Sequence, residues 1–398
     1  MTAVTKRQGP LASVSPWKRF PSNPSDWFSA DDIAKSKEYS RPSRKLQIAA
    51  RTASLVAEVL IVVTQLAPRA LDALDIDNWL LQVVVVIVLT STIETIVSLP
   101  FGAYRALKFD KDWGFSTQTP GGFASDIGKG LLIGYVIGSL ISLALWWAIR
   151  TTDLWWVLGF LIIFLFTIVL GVLGPVLLDP IFNKFVPLKD EELHDELLEM
   201  ARGLDCKVSE VLVSDASKRD TRDNAYVTGM GATKRVVLFD TILKRPRPQL
   251  RSVVAHELGH YKLRHVPKTV VFLTPILFAQ FVVLKLVLEW DALLELAGVE
   301  SLREPGAIPL FFLAFGLVSR TTSLLGAWFT RYREREADIF ALDGTADPSS
   351  FIESMRALHV DNRADLAPSR WQRAFRSHPP ADERMAMGAE WARRAGSG

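Results

Sequence analysis

The residues best equipped for chemistry in this chain are His256, Glu257 and His260, within His256-Glu257-Leu258-Gly259-His260. Residues 248–264 read as a helix. Positions four apart on a helix lie one above the other, so the two imidazoles face the same way. That spacing suits two nitrogen ligands to one zinc ion. Glu257 stands between them and can accept a proton from a water held at such an ion. The preceding Val253-Val254-Ala255 is the flank of a buried helix rather than of a solvated one.

A catalytic zinc needs a third protein ligand and one open position. Arg331-Tyr332-Arg333-Glu334-Arg335-Glu336-Ala337-Asp338 supplies candidates. Glu334 and Asp338 are four apart and share a helix face. Glu334 is expected to bind the ion. Asp338 is expected to hydrogen-bond the free nitrogen of a liganding histidine and fix its tautomer. Glu336 is the rival third ligand, but two positions along a helix turn it to nearly the opposite face, so Glu334 is preferred. The chain has one cysteine, Cys206. No internal disulfide is possible, and Cys206 reads as a small packing residue. Structural zinc sites are closed by four protein ligands and favour cysteine. The expected cofactor is therefore one catalytic zinc ion per chain.

The elements that must position these residues lie largely in lipid. Of 398 residues, 49% are hydrophobic, and the mean hydropathy is +0.19. Apolar runs occupy 48–67, 79–101, 127–149, 153–178, 266–289 and 307–329. Each approaches or exceeds the roughly 20 residues that cross a bilayer. The chain thus divides into a polar basic segment 1–47, partly helical near 30–38, and four spans in 48–178. An α/β insertion over 179–265 ends in the two-histidine helix. A transmembrane hairpin over 266–329 follows, and a segment 330–398 completes the zinc site. Loops 67–78, 150–152 and 290–306 hold only Arg69, Arg150 and Arg303 among basic residues. The positive-inside rule then places both termini and the zinc site on the cytoplasmic side of a cell membrane. Glu58, Glu94, Lys285 and Arg320 fall inside spans. Such residues usually face a bundle interior or a hydrated cavity, although Lys285 is close enough to a span end to snorkel.

Within the insertion, 190–202 has the spacing of an amphipathic helix, and 210–213 and 235–239 read as strands. Gly229 and Gly231 mark a turn between Tyr226-Val227 and the second strand. A net charge of +3 gives no reason to expect a nucleic-acid partner. The expected partners are membrane lipids and peptide or protein substrates, lipid-modified ones included.

Several ordered blocks extend the zinc motif. They are Trp113-Gly114-Phe115-Ser116-Thr117-Gln118-Thr119, Asp215-Ala216-Ser217-Lys218-Arg219 and Asp223-Asn224-Ala225-Tyr226. Val236-Val237-Leu238-Phe239-Asp240-Thr241 and Ser377-His378-Pro379-Pro380-Ala381-Asp382-Glu383-Arg384 complete the set. With them the sequence, over roughly 102–385, resembles the type I CAAX prenyl protease family of membrane zinc metallopeptidases. The resemblance implies a mainly α polytopic membrane fold with a cytoplasmic gluzincin-type peptidase domain containing a small β-sheet. It assigns His256, His260 and Glu334 to zinc and Glu257 to catalysis. It further implies that Asn224 and Ala225 border the substrate strand, and that His378 and Arg384 support the transition state. Read by itself, a histidine before Pro-Pro is a surface turn residue. Eukaryotic members are similar but have seven spans, against the six counted here.

The expected reaction is zinc-assisted peptide hydrolysis with Glu257 as general base, on CAAX-like or other membrane-associated peptides. The strand over 236–239 is expected to pair with an extended substrate. Two other readings compete: a quality-control protease for misfolded membrane proteins, and a transporter or scaffold with a structural metal site.

Overall fold

The computed structural model describes residues 9–229 and 234–396. Gly231, half of the expected glycine turn, lies outside the described residues. The chain is mainly helical. Its principal helices are α1 (Ala30–Val63), α2 (Leu66–Ala73), α3 (Trp79–Tyr104), α4 (Pro120–Thr151), α5 (Trp155–Leu173) and α6 (Glu191–Gly203). They continue with α7 (Arg247–Lys262), α8 (His265–Leu288), α9 (Asp291–Ala297) and α10 (Ile308–Thr345). The last are α11 (Pro348–Asp361), α12 (Arg370–Phe375) and α13 (Ala381–Ala395).

Six helical stretches are long and apolar enough to cross a membrane: Ala30–Val63, Trp79–Asp112, Pro120–Thr151, Trp155–Phe182, His265–Leu288 and Pro305–Thr345. Three boundaries differ from the sequence reading. The basic lead-in is continuous helix from Ala30 and passes through Pro42. Proline removes one backbone donor, which strips the Glu38 carbonyl of its partner. Glu38 is exposed, so water can satisfy it. The first apolar run does not reach residue 67 as one helix. It stops at Val63, and Gln65, with a φ of 55°, starts the short α2 in a new direction. The fourth run continues past residue 178 through a π-helical turn at Gly174–Leu178.

Contacts divide the chain into two units. One comprises Ser43–Leu173 and Val271–Ser323. Its core joins Val83, Val86, Leu145, Trp146, Phe281 and Phe311. Gly159 allows the Phe281 ring to approach so closely that a Cβ there would lie 2.6 Å from it. Glu58 and Glu94 line one cavity of about 370 Å³ together with Thr90 and Ser91. Lys285 instead pairs at 2.8 Å with Glu289, the residue just past the end of its helix.

The other unit comprises Met1–Pro42, Gly174–Val270 and Leu324–Gly398. It contains a four-stranded sheet of β1 (Phe185–Pro187), β2 (Glu210–Ser214), β3 (Ala225–Thr228) and β4 (Arg235–Phe239), in the order β1-β2-β4-β3. β2 and β4 run parallel with Val211 opposite Val236, and β3 lies antiparallel to β4 with Ala225 opposite Leu238. β4 is therefore an interior strand. Both its edges are already paired, so it cannot add an extended peptide as the sequence reading expected. The terminal strand on that side is β3. Strand residues Val211, Ala225, Val236 and Leu238 pack with Leu193 and Leu197 of α6 and with Leu250, Val254 and Leu258 of α7. A second core joins Ala255 to Ile339, Leu342, Phe351 and Met385, which fixes α7 against α10, α11 and α13.

Candidate active site

α7 is set in place by burial on two sides. Val254 and Leu258 face the sheet core and Ala255 the α10 core, which leaves the remaining face for His256 and His260. The two rings stand 4.8 Å apart between centroids, at 76° to one another. Their Nε2 atoms are 3.1 Å apart.

The last turns of α10 bring Glu334 to this pair. Its Oε2 lies 3.4 Å from His256 Nε2, and its Oε1 lies 3.4 Å from His260 Nε2. Close approach of the helices depends on Gly259, whose missing Cβ would sit 3.2 Å from Ala337 Cα. Four donors at about 2.05 Å in a tetrahedron are separated by about 3.3 Å. The Nε2–Nε2 distance of 3.1 Å and the two Glu334 distances of 3.4 Å, each made by a different carboxylate oxygen, are close to that edge, and with one atom taken from each residue the three ligand atoms lie within 4.8 Å of one another. Glu334 Oε2 is also buried without a hydrogen-bond partner. A buried carboxylate oxygen facing two imidazole nitrogens is the donor set a zinc ion takes. His256, His260 and Glu334 form the one cluster of metal-ligating groups found among the described residues.

Each imidazole is held from its far side. Asp338 is fully buried, and its Oδ1 accepts from His256 Nδ1 at 2.9 Å. Arg384 grips the same carboxylate twice, through Nη2 at 2.5 Å and Nε at 2.8 Å. His256 therefore carries its proton on Nδ1 and turns Nε2 toward the site. His260 Nδ1 meets His265 Nδ1 at 2.8 Å, and His265 Nε2 lies 3.3 Å from Glu336 Oε2. Lys268 in turn reaches Glu336 at 3.4 Å. Glu336, the rival third ligand by sequence, thus faces His265 rather than the gap between His256 and His260. The sequence reading gave His265 no part here. It follows a chain turn at Arg264, where φ is 55°, and this turn folds it back over His260. Helical spacing has no register for a contact made across such a break.

Glu257 is partly buried, and its carboxylate makes no hydrogen bond or ion pair with a protein group among the described residues. Burial pushes it up to about 7, against the pull of His256. Burial pulls His260 down to about 3, with the neighbouring His256 adding to the effect. His256 moves the opposite way, because Asp338 and Glu334 outweigh its own desolvation.

His378 is 57% exposed in its side chain, with Nε2 3.3 Å from Glu334 Oε2. Its Nδ1 is 2.8 Å from Ser377 Oγ. Arg384 is buried and directs its donors at Asp338. Of the two residues expected beside a reacting carbonyl, only His378 faces open space. Asn224 precedes β3, where its backbone carbonyl accepts from Phe239 and its Oδ1 from the Ala225 amide. Ala225 is buried in the core shared by the sheet and α7.

Comparison with known proteins extends these observations over the whole chain. Residues 13–184 match a family model described as CAAX prenyl protease N-terminal, five membrane helices. Four of the six candidate spans fall in that region. Residues 187–392 match the model of peptidase family M48. An uncharacterized metalloprotease of Bacillus subtilis, YhfN, is 30% identical over 310 residues, covering 77% of this chain and 72% of the relative. CAAX prenyl protease 1 of Saccharomyces cerevisiae is 31% identical over 264 residues, covering 62% of this chain and 58% of its own. A rice CAAX prenyl protease 1 homolog is 27% identical over 378 residues, covering 90% and 87%. The crystal structure of S. mikatae Ste24p superposes with a TM-score of 0.82 at 23% identity over 94% of this chain and 95% of that one, which shows a shared fold. The chain belongs to peptidase family M48 and is a multi-pass membrane zinc endopeptidase.

Proposed function

We propose that the protein cleaves extended peptides at the membrane surface, C-terminal CAAX-like or lipid-modified tails among them. One zinc ion per chain is held by His256, His260 and Glu334. The observation that carries this reading is the buried convergence of the two Nε2 atoms and the Glu334 carboxylate, with one ligand atom from each residue lying within 4.8 Å of the others. Relatives named CAAX prenyl protease 1 support the substrate class. The distribution of Lys and Arg supports a cytoplasmic placement of the site and both termini.

Zinc, when bound, supplies a Lewis acid that polarises the scissile carbonyl and makes a nearby water acidic. The remaining work falls to side chains. Glu257, poised near neutrality and free of protein partners, accepts a proton from the attacking water and returns it to the leaving amine. Asp338 and Arg384 keep the His256 tautomer fixed, and His265 with Glu336 does the same for His260. Arg384 is accordingly a positioning residue. His378, exposed beside Glu334, donates to the oxygen that gains charge as the carbonyl is attacked. β3 ends the sheet next to α7, so its outer edge, bordered by Asn224 and Ala225, offers main-chain pairing to the substrate.

Glu257→Gln tests the assignment. The variant should retain zinc at wild-type stoichiometry and lose cleavage of a reporter peptide by a factor of about 10²–10⁴. Undiminished cleavage would end the general-base role. Zinc content unchanged in Glu334→Ala would end the proposed ligand set.

A further inference from the structure

Away from the zinc cluster, the unit that carries it holds a charged cavity of about 970 Å³. It is lined by Arg19, Arg331, Arg335, Arg370, Arg373 and a single carboxylate, Glu383. Glu383 is fully engaged, taking Arg335 at 2.7 Å and Arg19 at 3.3 Å. Arg331 spends one nitrogen on the backbone carbonyls of Ala374 and Arg376. Arg373 donates to the Pro368 carbonyl and lies 3.7 Å from Asp382. Arg370 is exposed and has no ion pair among the described residues. Five guanidinium groups thus face two carboxylates, an excess of three positive charges in one concavity. Like charges so placed repel unless an anion enters, and planar guanidinium forks match phosphate oxygens.

The surroundings indicate where that anion comes from. Trp17 stacks on Trp328 and Tyr332 at the cavity edge, with ring centroids 4.4 and 4.1 Å apart. Trp328 closes the apolar run of α10, the position where indoles gather at a membrane–water boundary. α12 carries Trp371 and Phe375 one helical turn apart and 78% and 60% exposed, while its Arg370 and Arg373 line the cavity. Open aromatic rings beside inward arginines are what an element lying at a lipid surface presents, rings toward the acyl chains and guanidinium groups toward phosphate.

We propose that this cavity binds the phosphate of an anionic membrane-lipid headgroup, with Arg370 and Arg373 of α12 among its principal ligands. The bonds from Arg331 to the carbonyls of residues 374 and 376 connect the same cavity to the segment that ends at His378. Lipid bound here holds that segment against α10.

The test uses the full chain in nanodiscs of phosphatidylcholine doped with phosphatidylglycerol, with retained lipid counted by native mass spectrometry. Wild-type protein should retain phosphatidylglycerol in preference to phosphatidylcholine. Arg370→Gln/Arg373→Gln should lower that preference by about fivefold for each arginine removed. Its thermal midpoint in pure phosphatidylcholine discs should stay at the wild-type value, which establishes folding. Should the double variant fail to fold, Arg370→Gln alone carries the test with a fivefold loss. No preference in the wild type, or an equal preference in the variants, would overturn the proposal. So would inorganic phosphate binding as tightly as the lipid. Displacement of the lipid by a peptide with a free C-terminal carboxylate, but not by its amide, would overturn it in favour of a peptide-end site.

Discussion

Replacing Gly259 with alanine adds one methyl group where α7 meets α10. The new Cβ would lie 3.0 Å from Phe340 Cδ1, 3.2 Å from Ala337 Cα and 3.3 Å from the Ala337 carbonyl oxygen. Carbon atoms settle at about 3.5–4.0 Å, so the contact is short by roughly half an ångström. The Phe340 ring can turn, but the Ala337 backbone cannot, and the helices must part. Glu334 stands one turn before Ala337, so the displacement passes to its distances from His256 and His260. Zinc sites hold their ligands to within about 0.2 Å, and the shift exceeds that tolerance. Overpacking costs about 1–3 kcal/mol, of which the better helix propensity of alanine offsets about 1 kcal/mol. Stability should thus fall modestly, while zinc affinity should fall by about 10–100-fold, the loss typical of disturbed ligand positioning. Affinity can be read by competition with a chromogenic chelator, and cleavage with a reporter peptide in detergent. Gly203→Ala is the control, since a Cβ there meets nothing within 4 Å; it should match or exceed wild-type stability. Wild-type zinc affinity and cleavage in Gly259→Ala would refute the claim that helix proximity sets the ligand distances.

Other perturbations follow from the same contacts. Asp338→Asn leaves the Arg384 charge buried and unpaired, so it should cost about 3–5 kcal/mol in detergent unfolding; a variant as stable as the parent would dismiss the pair. His265→Phe removes the group on His260 Nδ1 and should weaken zinc binding about tenfold, with a smaller loss in Glu336→Gln; equal affinity in all three proteins would assign His265 to packing alone. His359 is partly buried, bonds to the Met355 carbonyl at 2.6 Å, and is pulled by burial down to about 4. Because its folded pKa lies below the unfolded value, its contribution is whole above about pH 6.5 and is lost as pH falls toward 4. Allowing for partial exposure, the loss between pH 7 and pH 5 should be about 1–2 kcal/mol. His359→Asn should flatten the pH slope of the thermal midpoint, and an unaltered slope would exclude the histidine as its source.

What the sequence revealed was mostly local in origin. The convergence of His256 with His260, and of Glu334 with Asp338, needs only the four-residue repeat of a helix, and both pairs keep it. Apolar length alone marked the six spans. The α6 amphipathic pattern and the β2 and β4 segments were legible because one face of each is buried. The less legible features depend on chain reversals. His265 reaches His260 only through the turn at Arg264. β1 is three residues long and shows no alternation to read. The interior position of β4 arises because β2 pairs with it across the intervening β3, and strand order is not encoded in any single strand. The helix of the basic lead-in runs beyond residues 30–38 because the carbonyl that Pro42 leaves without a partner is open to water. The arginine cavity assembles from four separate segments, and no one of them stands out as a motif.

The charge pattern around the two histidines argues for a divalent ion independently of the distances. Asp338 is cancelled by Arg384, at 2.5 Å. Glu336 is cancelled by Lys268, at 3.4 Å. Glu334 and Glu257 remain beside two imidazoles, and neither makes an ion pair with a guanidinium or ammonium group among the described residues, although the Arg333 charge acts on Glu334 and the Arg384 charge on both. A monovalent cation would leave one uncompensated carboxylate in a largely buried space, which is costly. A doubly charged ion would neutralise both when Glu257 is ionised and would leave a net charge of +1 once Glu257 takes up a proton. That imbalance favours release of the proton to the leaving amine. The same count predicts that Glu257→Gln, which removes a negative charge without touching a ligand, should bind zinc no more tightly than wild type. A markedly tighter complex in that variant would mean the charges are balanced by some other group.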